Sequence, residues 1–142
     1  MTAVLGLSAD IIEDICGKQG NGVSIANYNC PNQIVITGRK ETVDKVATCC
    51  LENGAKIVTP LNVSGAFHSV FMREASVLLE KDLKEMELGK IKIPYVSNVT
   101  AEYVTEANEA KKLMVSQMYS PVKWQQSMER LCQDGYEEFI EI

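Results

Sequence analysis

The fold of the first part of the chain is decided by a hairpin with the sequence Val23-Ser24-Ile25-Ala26-Asn27-Tyr28-Asn29-Cys30-Pro31-Asn32-Gln33-Ile34-Val35-Ile36-Thr37. Residues 23–28 and 33–37 are rich in the β-branched and apolar side chains typical of strands. Residues 27–32 have the Asn and Pro composition of a turn. Two strands joined by so short a turn pair antiparallel. The sequence therefore predicts two neighbouring antiparallel strands at this point.

A strand and a helix flank this hairpin on each side. Upstream, residues 2–7 form a short apolar strand, and Ser8 can cap a helix with apolar residues at helical spacing: Ile11, Ile12, Ile15 and Cys16. Downstream, a second helix ends at Gly54, and residues 55–63 form the last strand. The order βαββαβ predicts a ferredoxin-like α+β small domain over residues 1–63, with both helices on one face of the sheet.

After residue 63 the pattern changes to helices alternating with short strands, which favours an α/β domain with a parallel sheet. We expect strands at Ile91–Ser97 and Phe139–Ile142, and helices at Ser69 to about Met86, at Glu106–Met118 and after a Ser120-Pro121 cap. Two strands for three helices are too few for a complete parallel sheet. Residues 64–142 are therefore interpreted as part of a larger domain, whose exposed strand edges would favour self-association.

The composition excludes several classes of protein. Of the 142 residues 46% are hydrophobic and 23% are charged, as in globular proteins. The net charge of -5 disfavours nucleic acid and acidic membranes as partners. No apolar run reaches the roughly 18 residues that cross a bilayer, and no secretory signal is recognisable, so we expect a cytoplasmic protein. The five cysteines lack Cys-x-x-Cys spacing, which favours reduced thiols and predicts no metal site and no cofactor.

The single histidine, His68, lies in the turn between the last strand of the first unit and the next helix. Such turns often carry catalytic groups, and a neutral imidazole can act as a general base. The alternative is a capping or surface histidine. A nucleophile is not obvious, because the only Gly-x-Ser stretch, at Ser24, lies in a strand and lacks the second glycine of a nucleophile elbow. Cys30 lies in a loop, but nothing in its local sequence would activate it.

Five separated motifs resemble one family. They are, in chain order, Asn27–Gly38, Val63–Ser69, Val96–Thr100, Tyr119–Trp124 and Phe139–Ile142. Together they resemble the malonyl-CoA:acyl carrier protein transacylases, and the resemblance covers the whole chain. It implies a large α/β-hydrolase-like domain into which a ferredoxin-like domain is inserted. Residues 1–63 would be this insert, closing over the cleft, and residues 64–142 would be part of the large domain.

The resemblance also implies a reaction and its site residues. The family moves malonyl from coenzyme A to the phosphopantetheine thiol of acyl carrier protein through an acyl-serine, so malonyl-CoA and acyl carrier protein are the expected partners. His68 corresponds to the catalytic base. Asn27 and Asn29 match a loop that borders the cleft, and Phe67 before the histidine goes with malonyl selectivity. We therefore expect Asn27, Asn29 and Phe67 to bind substrate, in fatty acid synthesis or a polyketide pathway.

The resemblance further implies that parts of the active site are missing from this sequence. In the family, the nucleophilic serine, the oxyanion-hole amides and the arginine that holds the malonyl carboxylate precede the segment that begins here at Met1. A residue whose backbone orients the histidine is expected after Phe139–Ile142. We therefore expect a fragment of an acyltransferase that is inactive alone. A noncatalytic ferredoxin-like binding module derived from the family is the alternative.

Overall fold

The computed structural model describes residues 1–141, which form a four-stranded sheet, a separate pair of short strands and several helices. The strands are β1 (Thr2–Leu5), β2 (Val23–Cys30), β3 (Gln33–Gly38), β4 (Ile57–Pro60), β5 (Tyr95–Val96) and β6 (Tyr103–Val104). The α-helices are α1 (Ala9–Gly17), α2 (Lys40–Glu52), α3 (Arg73–Glu85), α4 (Ala107–Gln117) and α5 (Trp124–Gln133). Single 3-10 turns lie at Gly20–Gly22 and Val70–Met72. No helix within residues 1–141 is long and apolar enough to span a bilayer.

The larger sheet has the strand order β2-β3-β1-β4, and all its neighbouring strands are antiparallel. Helices α1 and α2 pack on the face that carries Val4, Ile34 and Ile36, because all three share one buried cluster with Ile12 of α1 and Val46 of α2. The elements therefore follow one another in the predicted order up to residue 60. This sheet and its two helices make the only extensive apolar core in the described part of the chain.

The hairpin differs from the prediction in its turn. Strand β2 continues to Cys30, so the turn consists of Pro31 and Asn32 alone, with Asn32 in the left-handed region at φ 62°. The register shifts between Ile25 and Asn27 and again between Tyr28 and Cys30. These two irregularities bend β2, as β-bulges do. Asn27 and Asn29, which were predicted to lie in the turn, therefore belong to a bent edge strand.

The second part of the chain lacks the predicted parallel sheet within residues 64–141. The predicted strand Ile91–Ser97 is reduced to β5, which pairs antiparallel with β6, a strand that was not predicted. Of the second predicted strand, Phe139–Ile142, residues 139–141 have no regular structure, and position 142 lies outside the described residues. A strand forms only where a neighbour accepts its backbone hydrogen bonds, and these segments have no such neighbour here.

The predicted Ser120-Pro121 helix cap is also wrong, because the backbone of the next residue, Val122, is hydrogen-bonded to β2. The Val122 N–H donates to Ala26 O over 2.7 Å, and Val122 O accepts from the Tyr28 N–H over 2.9 Å. These bonds form a parallel bridge between Val122 and Asn27, and α5 begins only at Trp124. The segment between α4 and α5 is thereby attached to the edge of the larger sheet.

Candidate functional site

His68 lies in the turn that connects β4 to Val70–Met72 and has a left-handed backbone, with φ 57°. Its N–H donates to Met118 O over 3.1 Å. The next residue, Ser69, is buried, donates from Oγ to Ala66 O over 2.6 Å and accepts from the Phe71 N–H over 3.3 Å. The turn is therefore held on both sides of the histidine, and its unusual backbone is fixed in place.

The imidazole of His68 is oriented by a backbone carbonyl. Nδ1 lies 2.9 Å from Gln117 O, at the end of α4. A carbonyl oxygen can only accept, so Nδ1 must carry the proton and the neutral ring must keep its lone pair on Nε2. The side-chain amide of Gln117 also approaches Nδ1, at 3.4 Å. The Gln117 amide N–H and a protonated Nδ1 are both donors and cannot bond to each other, so the bond to the carbonyl defines the tautomer.

This contact corrects the expectation that the residue orienting the histidine follows Phe139–Ile142. Gln117 supplies that backbone oxygen from within the chain, 49 positions after His68. The sequence carries little signal for it, because any residue at this position has a carbonyl. The end of a helix, where the last carbonyls lack helical partners, is the feature that could have pointed to it.

A cleft of about 380 Å³ opens beside His68 and is lined by α1, β2 and the segment after α4. Tyr28 and Tyr119 line it together with the histidine. The Tyr28 hydroxyl donates to Glu13 Oε1 over 2.7 Å. Burial first, and then the Glu13 carboxylate, raise the pKa of Tyr28, so its hydroxyl stays protonated at neutral pH. The cleft is therefore lined by the histidine together with two phenol rings.

A nucleophile for this imidazole is not present among the described residues. No hydroxyl or thiol in residues 1–141 is hydrogen-bonded to Nε2. Ser24 and Cys16 line the same cleft. Burial, aided by Cys50 and Glu13, raises the pKa of Cys16 to about 12, so this thiol stays protonated at neutral pH. In the described part of the chain no group of three or more His, Cys, Asp and Glu residues is arranged to hold a metal ion.

The other expected site residues are not among those that line this cleft. Asn27 and Asn29 lie half-buried on β2, and Asn27 is bridged to Val122. Phe67 is 41% exposed, and its ring packs on Gly65, where an added Cβ would lie 3.1 Å from the ring. His68 is bonded to Gln117 and Asn27 is bridged to Val122, so one short segment, residues 117–122, connects to both.

Known proteins resemble this chain over nearly its whole length. A family model described as acyl transferase domain matches residues 3–142. The malonyl CoA-acyl carrier protein transacylase of Bacillus subtilis (strain 168) is 39% identical over 145 residues, which cover 100% of this chain and 46% of the relative. The chain therefore spans about half the length of the curated relatives it matches.

Two solved structures carry the same likeness at the level of the fold. The acyl carrier protein S-malonyltransferase of Vibrio cholerae matches with a TM-score of 0.91 and 36% identity, over 94% of this chain and 44% of that one. A malonyl-transacylase solved in complex with its type II PKS acyl-carrier protein matches with a TM-score of 0.91 and 34% identity, over the same shares. Because the acyl transferase family model matches nearly the whole chain, the chain belongs to the acyl transferase domain family.

Proposed function

We propose that this chain is the histidine-bearing part of a malonyl-CoA:acyl carrier protein transacylase. The observation that carries the proposal is the bond from His68 Nδ1 to Gln117 O, which leaves the lone pair of the neutral ring on Nε2 of a histidine that lines an open cleft. The family match and the names of the relatives support malonyl-CoA and acyl carrier protein as the two substrates. The reaction is acyl transfer through an acyl-serine.

In the first half-reaction, Nε2 accepts the proton of the attacking serine hydroxyl while the serine oxygen bonds to the malonyl carbonyl carbon. The carbon–sulfur bond of the thioester then breaks, and the coenzyme A thiolate takes the proton back from Nε2. Throughout, the Nδ1 proton remains donated to Gln117 O, where the carbonyl dipole stabilises the imidazolium that forms. The ring therefore stays oriented while its charge changes.

In the second half-reaction, Nε2 accepts the proton of the phosphopantetheine thiol of acyl carrier protein. The thiolate attacks the malonyl-serine ester, and the serine oxygen leaves with the proton from Nε2. The serine, the oxyanion-hole amides and the arginine for the malonyl carboxylate belong, in this proposal, to the rest of the acyl transferase domain. His68 contributes proton transfer alone, for which a general base is worth roughly 100- to 10,000-fold in rate.

The domain division and the other site residues are part of the same proposal. Residues 1–63 act as a ferredoxin-like lid, and residues 64–142 belong to the α/β-hydrolase-like part. Asn27 and Asn29, on the bent edge strand, border the substrate. The attachment of this strand to the segment that orients His68 supports this role. Phe67, half-exposed beside His68, contacts the malonyl group. Fatty acid synthesis is the proposed pathway, whereas the cytoplasmic location and the lack of nucleic acid and membrane partners stay predictions.

The experiment that tests the proposal reconstitutes the domain. The chain is co-expressed with the part of the Bacillus subtilis relative that has no counterpart here, and transfer of radiolabelled malonyl from malonyl-CoA to acyl carrier protein is measured. We expect His68→Ala to lower the turnover number by roughly 100- to 10,000-fold. The chain alone should transfer nothing, because it would lack the serine.

The matched control is Gln117→Ala, which removes the side chain of Gln117 but keeps the carbonyl that accepts from Nδ1. This variant should retain most of the activity. Full activity of His68→Ala in the reconstituted domain would contradict the role of His68. A large loss in Gln117→Ala would instead show that the side-chain amide, and not the carbonyl, orients the ring. The alternative function, a noncatalytic binding module, has no specific observation in its favour.

A further inference from the structure

A small cavity lies between the larger sheet and the turn that carries His68. It has a volume of about 90 Å³, and we define this polar cavity by the three hydroxyl-bearing residues that line it: Ser24, Thr37 and Ser69. Ser24 of β2 and Thr37 of β3 are partners in the antiparallel pair. Ser69 directly follows the histidine. The polar cavity therefore separates the sheet from the turn that positions the imidazole.

Thr37 has a buried hydroxyl without a hydrogen-bond partner among residues 1–141. The residue is 0% exposed. Successive side chains of a strand point to opposite faces of the sheet. Ile36 packs against α1 and α2, so Thr37 points to the other face, where it lines the polar cavity. A buried hydroxyl that has lost bulk water and gained no partner is unfavourable. The Thr37 hydroxyl therefore requires a partner from outside the described protein groups.

Ser69 offers an acceptor in the same cavity. Its hydroxyl donates to Ala66 O over 2.6 Å and accepts from the Phe71 N–H over 3.3 Å. A hydroxyl oxygen has two lone pairs, so one lone pair of Ser69 Oγ has no partner within residues 1–141. Ser69 is buried as well. A donor on the sheet and an acceptor on the histidine turn thus line one small enclosed space.

We propose that the polar cavity binds an ordered water molecule that accepts from Thr37 Oγ1 and donates to Ser69 Oγ, and that Thr37 is thereby a positioning residue for His68. A water molecule occupies about 30 Å³ in the liquid, so the cavity is large enough. Buried waters make two to four hydrogen bonds, and the Ser24 hydroxyl is available as a third partner. The water site does not depend on the proposed function, whereas the positioning role rests on it.

The water would give the histidine turn a second attachment. The turn is already bonded to the end of α4, through the His68 N–H to Met118 O and through Nδ1 to Gln117 O. The water would join it to β3, which lies between β1 and β2 in the sheet. A turn that is held at two places keeps the ring in position while its charge changes. Thr37 acts through the water and Ser69, so it does not itself take part in the proton transfer.

The water site is tested by crystal structures of the 142-residue chain and of two variants. We expect electron density for a water within about 3.2 Å of both Thr37 Oγ1 and Ser69 Oγ. Thr37→Val keeps the shape of the side chain but removes the hydroxyl, so it should lose this water. Thr37→Ser keeps the hydroxyl and should retain the water. Because the first observation is made on the unchanged chain, it does not require a variant to fold.

The positioning role is tested by hydrogen exchange of the His68 amide. Thr37→Val should speed this exchange by roughly two- to tenfold, the contribution of one hydrogen bond, while Thr37→Ser should leave it unchanged. The matched control is Thr59→Val on β4, because Thr59 is exposed and does not line the polar cavity. This variant should exchange like the unchanged chain. The amides of residues 34–36 should stay slow in every variant, which separates positioning of the turn from stability of the sheet.

The same variants are then measured in the reconstituted domain. Thr37→Val should lower the turnover number by about two- to tenfold and leave the KM for malonyl-CoA unchanged, and Thr37→Ser should restore the turnover number. Absence of the water from the unchanged chain would overturn the proposal. Equal speeding of His68 and of residues 34–36 in Thr37→Val would overturn the positioning role, as would unchanged exchange of His68. A domain that transfers no malonyl although the water is present would count against the proposed function alone.

Discussion

At the scale of single residues, His68 combines an unfavourable backbone with a well-defined side chain. A left-handed conformation costs a non-glycine residue roughly 1–2 kcal/mol, and His68 adopts it with φ 57°. Two hydrogen bonds, from its N–H to Met118 O and from Nδ1 to Gln117 O, offset that cost. In the neutral ring, the second of these bonds places the proton on Nδ1 and the lone pair on Nε2. The strain and the proposed proton transfer therefore have one structural cause, the attachment of the turn to the end of α4.

The buried thiol of Cys16 predicts a fall in stability at alkaline pH. Burial raises its pKa from an ordinary 9.0 to about 12, so the folded state favours the protonated thiol. This contribution to the free energy of unfolding is complete below about pH 9, where both states are protonated, and is lost as pH rises toward 12. Urea denaturation at several values between about pH 7 and pH 10 should show the midpoint falling above about pH 9.

The variant Cys16→Ala should weaken this pH dependence, although it lowers stability at every pH through the lost packing. Cys132→Ala, which removes a surface thiol, is the matched control and should leave the slope as it is. Rapid alkylation of Cys16 by iodoacetamide in the folded protein at about pH 8 would contradict the argument, because only the thiolate reacts.

At the scale of elements, the sequence predicts best where an element finds its partners close by in the chain. Strands β1 and β3 and helix α2 follow from local patterns, because their apolar faces meet one another within residues 1–63. The predictions fail where the neighbour is distant or missing. Residues 91–94 and 139–141 belong to predicted strands that have no partner, and Val122 was assigned to a helix although its backbone is hydrogen-bonded to β2.

In the candidate site, too, local features could be predicted and features that depend on distant residues could not. The position of His68 in a turn before a helix could be predicted, since it follows from the order of local elements. The contribution of Gln117 could not, because it depends on a backbone carbonyl that any residue would supply. Asn27 and Asn29 are site residues only by the family resemblance, and their place on a bent strand depends on two register shifts that leave no local pattern.

The bridge between β2 and Val122 gives a prediction at this scale. Val122→Pro removes the N–H that donates to Ala26 O, while Val122→Ala keeps it. We expect the proline variant to be less stable than the alanine variant by about 1–3 kcal/mol, the cost of leaving a buried acceptor without a partner. The Tyr28 amide, whose acceptor is Val122 O, should also exchange faster in the proline variant. Equal exchange of Tyr28 in both variants would mean that the bridge does not hold the two parts together.

At the scale of the whole molecule, the buried apolar residues are distributed unevenly. The main cluster lies between Val4 and Ala55, so it is complete within the proposed small domain. Beyond residue 63, buried apolar side chains are few, with Leu83 and Val104 among them, and large exposed ones such as Leu78 and Ile93 are frequent. Helices α3 and α4 pack on each other without an extensive core beneath them. Stability should therefore be concentrated in the first part of the chain.

Hydrogen exchange on the 142-residue chain should reveal this division directly. The amides of Ile34, Val35 and Ile36 lie in β3, between β1 and β2, and their side chains are buried, so we expect them to exchange only on global opening of the small domain. Tyr95 lies in a two-residue strand with one unpaired edge, and Ile140 lies in a segment without regular structure. Both should exchange fast, or slow down only as protein concentration rises, because association would then cover them. Adding the part of the Bacillus subtilis relative that has no counterpart here should slow the exchange of Tyr95 and Ile140 while leaving that of β3 unchanged. Equal protection in both regions at all concentrations would contradict the prediction, since it would mean that residues 64–141 are stabilised by contacts of their own.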